Sequence, residues 1–314
     1  MEPFQSMCRD KGNKGRDDDC LLMKAGEEEI LQRKEIKTPD RTFQLLLTER
    51  DLGTQYPGMI LYSLRILSGD TVIALFATNT YEYPPSSPIH ARGVVQAKAD
   101  EWERELLSNP PEFQAWHESR RSGSSGEPRT PDVLILQGSP RPAGKCSVMA
   151  GWARDAAERA GRTAEVVYID DLTIRACIGC YQCYNTGTCI FEDDMTGIIR
   201  ALSGARVVIV CTPVYTNTVP GSLKIVFDRC QAYHAHQVRN GPSKGKTGLL
   251  FSVAGRKGRE NFSCITRVVE AFMGNIHIRP SGKILIDDLD RTGDIRNIPG
   301  IELQIRKAVE GVLL

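Results

Sequence analysis

The densest group of reactive side chains is a run of four cysteines in thirteen residues, CIGCYQCYNTGTC, from Cys177 to Cys189. Thiols at this density could form disulfides, hold zinc, relay redox equivalents or ligate an iron–sulfur cluster. The N-terminus, MEPFQSMCRDKGNKGRDDDC, is too polar for a secretory signal, so we expect a cytoplasmic protein whose thiols stay reduced. Metal binding and redox chemistry are therefore favoured over disulfides.

A second chemical stretch is QGSPRPAGKCS, residues 137–147, which joins the predicted strand DVLIL to a helix. Gly138 and Gly144 allow a tight turn, and the free amides and positive dipole end of the helix that follows attract an anion. Arg141 and Lys145 could add charge-assisted hydrogen bonds to a phosphate. The stretch contains neither GxGxxG nor a Walker loop, so it predicts a monophosphate site, with an ordinary strand-to-helix turn as the alternative.

Two further loops follow predicted strands. TPVYTNTVPGSLKIVFDR, from Thr212 to Arg229, carries Tyr215 where it could stack on a flat ring such as a flavin. SVAGRKGREN, from Ser252 to Asn261, is rich in glycine and cations and could hold the far edge of that ring or a pyridine nucleotide phosphate. The alternative for both is a loop that only connects a strand to a helix.

The elements that position these loops alternate regularly from Asp132 to the end of the chain. Apolar runs typical of strands buried on both faces are separated by helical stretches. This alternation predicts a doubly wound α/β domain with a five-stranded parallel sheet, in which ligands bind outside the carboxyl ends of the strands. The predicted strands are DVLIL, AEVVYI, RVVIVC, KTGLLFSV and IHIRPSGKILI.

The preceding sequence divides into three parts. Residues 1–40 are charge-rich and predict a flexible arm, in which Cys8 and Cys20 are interpreted as free thiols. Residues 41–119 alternate apolar runs with turn residues, which predicts a small α+β or β-rich module of unknown function. Its helix is predicted over Gln96 to Asn109, stopped by two prolines. RRSGSSGEPRTP, residues 120–131, has the composition of a linker before the domain of residues 132–314.

Composition limits the classes of partner. The chain has 314 residues, a formal net charge of +1, 41% hydrophobic and 25% charged residues, as in soluble globular proteins. Near-neutral charge argues against nucleic-acid partners, and the sequence has no apolar run of membrane-spanning length.

The motifs together resemble a known family. GSPRPAGKCS, CIGCYQCYNTGTCIFEDDM, TPVYTNTVPGSLKIVFDR and SVAGRKG occur in the order found in flavodoxin-like FMN reductases, and the cysteine run resembles that of iron–sulfur flavoproteins. The resemblance extends from Pro131 to Leu314 and implies a flavodoxin-like fold that binds FMN. It implies phosphate contacts from Ser139, Arg141, Lys145, Cys146 and Ser147, and ring contacts from Pro213, Val214, Tyr215, Thr216, Asn217, Ala254 and Gly255.

The chain departs from the family pattern in its phosphate loop. Many relatives carry Asn and Ser or Thr where this chain has Lys145 and Cys146. Backbone amides still donate after such a change, so FMN binding is expected to survive it.

The cysteine spacing, C-x2-C-x2-C-x5-C, matches the compact pattern of the iron–sulfur flavoproteins. Zinc sites usually pair two separated knuckles, whereas four ligands in one loop are typical of a cubane cluster. We therefore favour one [4Fe–4S] cluster on Cys177, Cys180, Cys183 and Cys189. Zinc and free thiols stay open, because flavin reductases without a cluster keep several of these cysteines.

The resemblance implies an FMN-dependent oxidoreductase or electron-transfer flavoprotein. A ferredoxin-like protein or NAD(P)H would donate electrons to a quinone, an oxygen species or another small acceptor, and no side chain is predicted to be catalytic. The alternatives are a cluster-free NAD(P)H-dependent FMN or quinone reductase and a flavin-based redox sensor that binds a partner. The family and the exposed cysteine run also imply a homo-oligomer, a dimer or a tetramer.

The remaining candidates are weaker. His234 and His236 lack a third metal ligand, so a role at the surface or at the edge of a substrate is favoured over metal binding. Asp228 and Arg229 are expected to pair across a helix end in a structural role. Core packing is expected for Cys211, Cys230 and Cys264.

Overall fold

The structure is a computed structural model that describes residues 26–54, 56–119, 130–243 and 245–313. The predicted linker, apart from residues 130–131, and the predicted free thiols Cys8 and Cys20 lie outside these ranges. Within them, none of the helices combines the length and the apolar composition needed to cross a membrane.

The described N-terminal part, residues 26–119, is called the N-terminal module. It is an antiparallel sheet in the order β1-β2-β3-β4, covered on one face by two helices. The predicted α+β module is thus the observed one. Its elements are β1 (Glu28–Lys37), β2 (Thr42–Asp51), β3 (Ile60–Ser68), β4 (Thr71–Asn79), α1 (Ala91–Ser108) and α2 (Pro110–Ser119).

One prediction about this module is corrected: the flexible arm predicted over residues 1–40 is wrong for Glu28–Lys37, which pair antiparallel with β2 as an edge strand. The predicted helix does end before the two prolines, although it begins at Ala91 rather than at Gln96. Pro110 then begins a second helix, α2. Proline suits the first position of a helix because an N–H at that position would have no acceptor within the helix.

The C-terminal part is the doubly wound sheet that the alternating pattern predicts. Its five strands are parallel, in the order β6-β5-β7-β8-β9, which is the flavodoxin-like order 2-1-3-4-5. The strands are β5 (Val133–Gln137), β6 (Ala164–Tyr168), β7 (Val207–Pro213), β8 (Lys246–Val253) and β9 (Ile278–Ile286). The helices are α3 (Lys145–Arg159), α4 (Cys183–Thr186), α5 (Met195–Gly204), α6 (Gly221–Arg229), α7 (Gln231–Asn240), α8 (Ser263–Asn275), α9 (Leu289–Thr292) and α10 (Ile301–Leu313).

The central strands are buried on both faces, as their continuous apolar sequences predict. Every residue of β5 is buried, and alternate residues point into two separate cores. One core lies against α5, α6 and α8, and the other lies against α3 and α10. Helices on both faces leave the carboxyl ends of the strands as the edge at which loops gather.

Candidate active site

A cavity of about 1190 Å³ lies at the carboxyl ends of β5, β7, β8 and β9. The three loops singled out in the sequence form most of its wall, joined by the segment that follows β9. The parallel topology therefore brings together stretches that are far apart in sequence.

The loop after β5 ends in an uncapped helix. Gly144 is the N-cap of α3, and no side chain accepts a hydrogen bond from the first turn. The first intrahelical bond runs from the amide of Val148 to the carbonyl of Gly144, so the three preceding amides have no acceptor within the helix. These amides and the positive end of the helix dipole form a binding site for an anionic group.

The loop after β7 is held in a tight turn. Tyr215 and Thr218 exchange two backbone hydrogen bonds of 2.8 and 2.9 Å, with Thr216 and Asn217 between them at φ of 44° and 61°. Left-handed backbone is unfavourable for a β-branched residue such as threonine. The turn leaves Tyr215 40% exposed at the cavity wall, where its ring is available for stacking.

The loop after β8 lies against α9. The amide of Asp290 donates to the carbonyl of Gly255 at 3.0 Å, and a Cβ atom on Gly255 would meet the Asp290 carboxylate at 2.5 Å. A side chain at position 255 would therefore displace the Asp290 carboxylate from its place at the cavity wall.

The structure gathers eleven of the twelve predicted flavin-contact residues around this cavity; Ser147 is the exception, and all twelve are described. The Ser147 hydroxyl instead accepts from Gln137 at 2.8 Å and donates to the carbonyl of Arg141 at 3.3 Å. The side chain of Cys146 is 1% exposed and packs in the core, so any contact that it makes with a ligand comes from its backbone.

Sequence reasoning missed the fourth part of the wall. Asp290, Asp294 and Arg296 line the cavity from the segment that follows β9. The acidic stretch IDDLDRTGDIRN begins at the end of the last strand, so the rule that ligands bind at carboxyl ends would have found it.

The four cysteines lie together on a loop of residues 173–194, called the cysteine loop, which leads from the end of β6 to α5. Cys177 is exposed, Cys180 and Cys189 are half-buried, and Cys183 is buried at the start of α4. None of the four forms a disulfide in the structure.

The buried Cys183 is affected by the other three thiols. Burial, together with the smaller effect of the nearby Cys180, Cys189 and Cys177 thiols, raises the pKa of Cys183 to about 12. Among the described residues, no group of three or more His, Cys, Asp or Glu side chains is arranged to hold a metal ion. The four thiols suit a soft metal ion in ligand type and in number. Their arrangement in the structure is not a preformed coordination site.

A buried ion pair closes the two ends of the cysteine loop. Arg229 of α6 donates to the two carboxylate oxygens of Asp193 at 2.7 and 3.0 Å and to the carbonyl of Arg175 at 2.6 Å. The same carboxylate accepts from the amides of Arg175 at 3.0 Å and Met195 at 3.2 Å. Arg175 and Asp193 flank all four cysteines, so Arg229 holds the two ends of the loop together. We call the ion pair between Arg229 and Asp193 the clasp.

The clasp changes the protonation of its acidic partner. Burial acts to raise the pKa of Asp193, but the hydrogen bonds from Arg229 and from the amides of Arg175 and Met195 outweigh it and hold that pKa below its usual value. Arg229 is 1% exposed and Asp193 is 8% exposed, so solvent screens their attraction weakly.

Two expectations about weaker candidates are wrong. Arg229 pairs with Asp193, whereas Asp228 pairs with Lys224 on the surface of α6. Cys264, expected in the core, is exposed, although Cys211 and Cys230 are buried as predicted.

Comparison with known proteins gives consistent matches to the C-terminal part. The family model described as NADPH-dependent FMN reductase matches residues 131–286. An iron–sulfur flavoprotein of Methanocaldococcus jannaschii is 32% identical over 161 residues, which cover 51% of this chain and 78% of the relative. An iron–sulfur flavoprotein of Archaeoglobus fulgidus is 31% identical over 137 residues, covering 44% of this chain and 61% of the relative.

Among solved structures, an NAD(P)H:quinone oxidoreductase from Methanothermobacter marburgensis matches with a TM-score of 0.43 and 15% identity. The match covers 59% of this chain and 98% of that one.

The clasp generates a stability prediction. Replacing Arg229 with Met leaves the Asp193 carboxylate buried without its cation, which should lower the free energy of unfolding by about 3–5 kcal/mol. Urea unfolding followed by tryptophan fluorescence measures the change. The matched control is Lys224→Met on the same helix, whose exposed pair with Asp228 should contribute under about 1 kcal/mol. Equal losses in the two variants would contradict a structural role for the clasp.

The same pair predicts a pH dependence. Because the folded-state pKa of Asp193 is lowered, its contribution is fully present above the unfolded pKa and is lost as pH falls through the folded pKa. The stability difference between the wild type and Asp193→Asn should therefore be constant near neutral pH and shrink in acid.

Proposed function

Because the chain belongs to the NADPH-dependent FMN reductase family, with iron–sulfur flavoproteins among its relatives, we propose that this flavin-dependent oxidoreductase transfers electrons from NAD(P)H to a quinone-like acceptor. The family resemblance drawn from the sequence motifs is thereby confirmed. The observation that carries the proposal is the cavity at the carboxyl ends of the parallel strands, where an uncapped helix, the cations Arg141 and Lys145 and an exposed aromatic ring meet.

The proposed flavin site uses the loops that line the cavity. The free amides at the start of α3 would hold the FMN phosphate, with charge-assisted hydrogen bonds from Arg141 and Lys145. The ring would lie against the tight turn at Tyr215 and against the backbone at Ala254 and Gly255. These roles are proposals for residues that the structure places in the wall.

We also propose that Cys177, Cys180, Cys183 and Cys189 ligate one [4Fe–4S] cluster. Three observations support this: the compact spacing, the absence of disulfides among these four residues, and the names of the relatives. The clasp would hold the ends of the loop together while the thiols bind. A bound cluster exchanges single electrons, and bound FMN exchanges one or two.

The overall reaction requires no acid or base from the chain. The nicotinamide loses a hydride, and the quinone gains its two electrons and proton together with one proton from solvent, which yields a quinol. A ferredoxin-like donor is the alternative that the sequence left open, and a homo-oligomer stays a prediction.

The phosphate site is tested by reversing one charge. Arg141→Glu places a carboxylate beside the phosphate, so FMN affinity should fall by about 10–100-fold or more. Flavin fluorescence titration of the apoprotein measures the change. Arg200→Glu, at an exposed position of α5, is the matched control and should bind FMN like the wild type. Unchanged affinity in Arg141→Glu would show that the phosphate lies elsewhere.

The donor is tested by anaerobic mixing. We expect NADPH to bleach the absorbance of the bound flavin and expect a subsequently added quinone to restore it. If only a reduced ferredoxin bleaches the flavin, the donor is a protein and the proposed NAD(P)H reaction is wrong.

The cluster is tested by iron and sulfide content. Changing any one of the four loop cysteines to Ala should remove the iron and the broad visible absorbance while FMN stays bound, because the phosphate loop is a separate segment. Cys264→Ala is the matched control, since that thiol is exposed and lies on α8. Anaerobically prepared wild type with about one zinc per chain and no iron would instead identify a structural metal site.

A further inference from the structure

The N-terminal module, which lies outside the family match, packs against the cysteine loop. The face of its sheet that α1 and α2 leave uncovered carries Leu61 and Ala77, and the segment between β2 and β3 adds Leu52 and Met59. These side chains form one buried apolar cluster with residues from the cysteine loop and α7. That second group comprises Cys183, Tyr184, Ala232 and Ala235.

A buried polar network runs through the same contact. Asn79, at the end of β4, is fully buried, and its amide nitrogen donates to Asn185 at 2.7 Å and to the carbonyl of Tyr181 at 3.3 Å. The amide nitrogen of Asn185 donates back to Glu82 at 2.6 Å. The two asparagines thus pair the module with α4, the short helix that begins at Cys183.

The oxygen of the Asn79 side chain serves the module itself. It accepts from the amides of Tyr81 at 2.9 Å and Glu82 at 3.0 Å. The two polar atoms of the Asn79 side chain therefore have different roles. The oxygen accepts hydrogen bonds that stabilise the turn after β4, and the nitrogen donates hydrogen bonds to the cysteine loop.

A second contact fixes the other side of α4. The hydroxyl of Tyr184 bonds to the hydroxyl of Tyr56 in the module, and Gln231 of α7 donates to both hydroxyls. The rings of Tyr56 and Tyr184 meet edge to face at 5.0 Å. The thiol of Cys183 belongs to the same cluster as Tyr184 and donates to the backbone carbonyl of Gln231 at 3.9 Å.

The opposite edge of the cysteine loop is open. Cys177 is exposed, and the neighbouring Ile178 and Ile190 are 64% and 44% exposed. The four thiols therefore differ in access although they lie on one loop.

We propose that the N-terminal module is an intramolecular shield for the cysteine loop, which covers the side holding Cys183 and leaves the Cys177 edge as the approach for solutes and redox partners. The shield acts on the thiols whether or not they hold a cluster. It gives a role to a part of the chain that the family does not explain. It also means that the module supports the α4 part of the cysteine loop, in addition to the clasp at the ends of that loop.

The test measures the access of each thiol in the full-length, reduced, metal-free protein. Timed alkylation with N-ethylmaleimide, followed by digestion and mass spectrometry, gives a rate for every cysteine. In the wild type, Cys177 should react fastest of the four and Cys183 slowest. Asn79→Asp keeps the oxygen that accepts from Tyr81 and Glu82 and removes the nitrogen that donates to the loop. Its Cys183 rate should rise by about 5–30-fold, the effect of losing one or two kcal/mol, with the Cys177 rate unchanged.

Two further variants keep the result decisive. Asn109→Asp, at the end of α1, makes the same chemical change inside the module without touching the cysteine loop, and Cys183 should stay protected. Leu61→Ala loosens the apolar part of the contact and should expose Cys183 if Asn79→Asp does not fold. The proposal is overturned if Cys183 reacts as slowly in the folded variants as in the wild type, or if all four rates rise together.

A second readout depends on the proposed cluster. In iron-loaded protein, the visible absorbance should decay faster in air for Asn79→Asp than for Asn109→Asp. If the wild type holds no iron, the cluster proposal fails, and the alkylation rates still decide whether the module shields the thiols. Equal decay rates in iron-loaded protein would count against the shield.

Discussion

The cysteine loop depends on one buried ion pair. The guanidinium of Arg229 is 1% exposed, so its charge must be balanced by a buried partner. Asp193 binds it with both carboxylate oxygens. Arg229 also donates to the backbone carbonyl of Arg175. This one side chain from α6 therefore fixes both ends of the cysteine loop, which otherwise has little regular structure. With the ends fixed, the four thiols stay on one closed loop, whose short helix α4 packs against the N-terminal module.

The sheet topology could be predicted from the sequence because each central strand is buried on both faces and is therefore a continuous apolar run. The cavity followed from the topology, since parallel strands end at one edge. Strand β1 was missed because most of its residues are exposed and its alternation is correspondingly weak. A helix or strand can therefore be predicted from its local sequence only where burial imposes a hydrophobic pattern on it.

Long-range polar partners could not be predicted in the same way. Asp228 lies next to Arg229 in the sequence, but the carboxylate that binds Arg229 lies 36 residues earlier. Asn79 and Asn185 are 106 residues apart, and neither belongs to a motif. Their pairing depends on how two sheets meet, which propensity and periodicity do not encode. The cysteine run was evident from its spacing, whereas the surface that covers it was not.

The contact between the sheet and the loop also sets an order of events during synthesis. The residues that hydrogen-bond across it are 102 to 175 positions apart, so at about 5–20 residues per second the module leaves the ribosome roughly 5–35 s before its partners. Its antiparallel strands pair with their sequence neighbours and need nothing from the later chain. The N-terminal module can thus fold first. It then presents an apolar surface with Asn79, against which the cysteine loop packs once it has been synthesised.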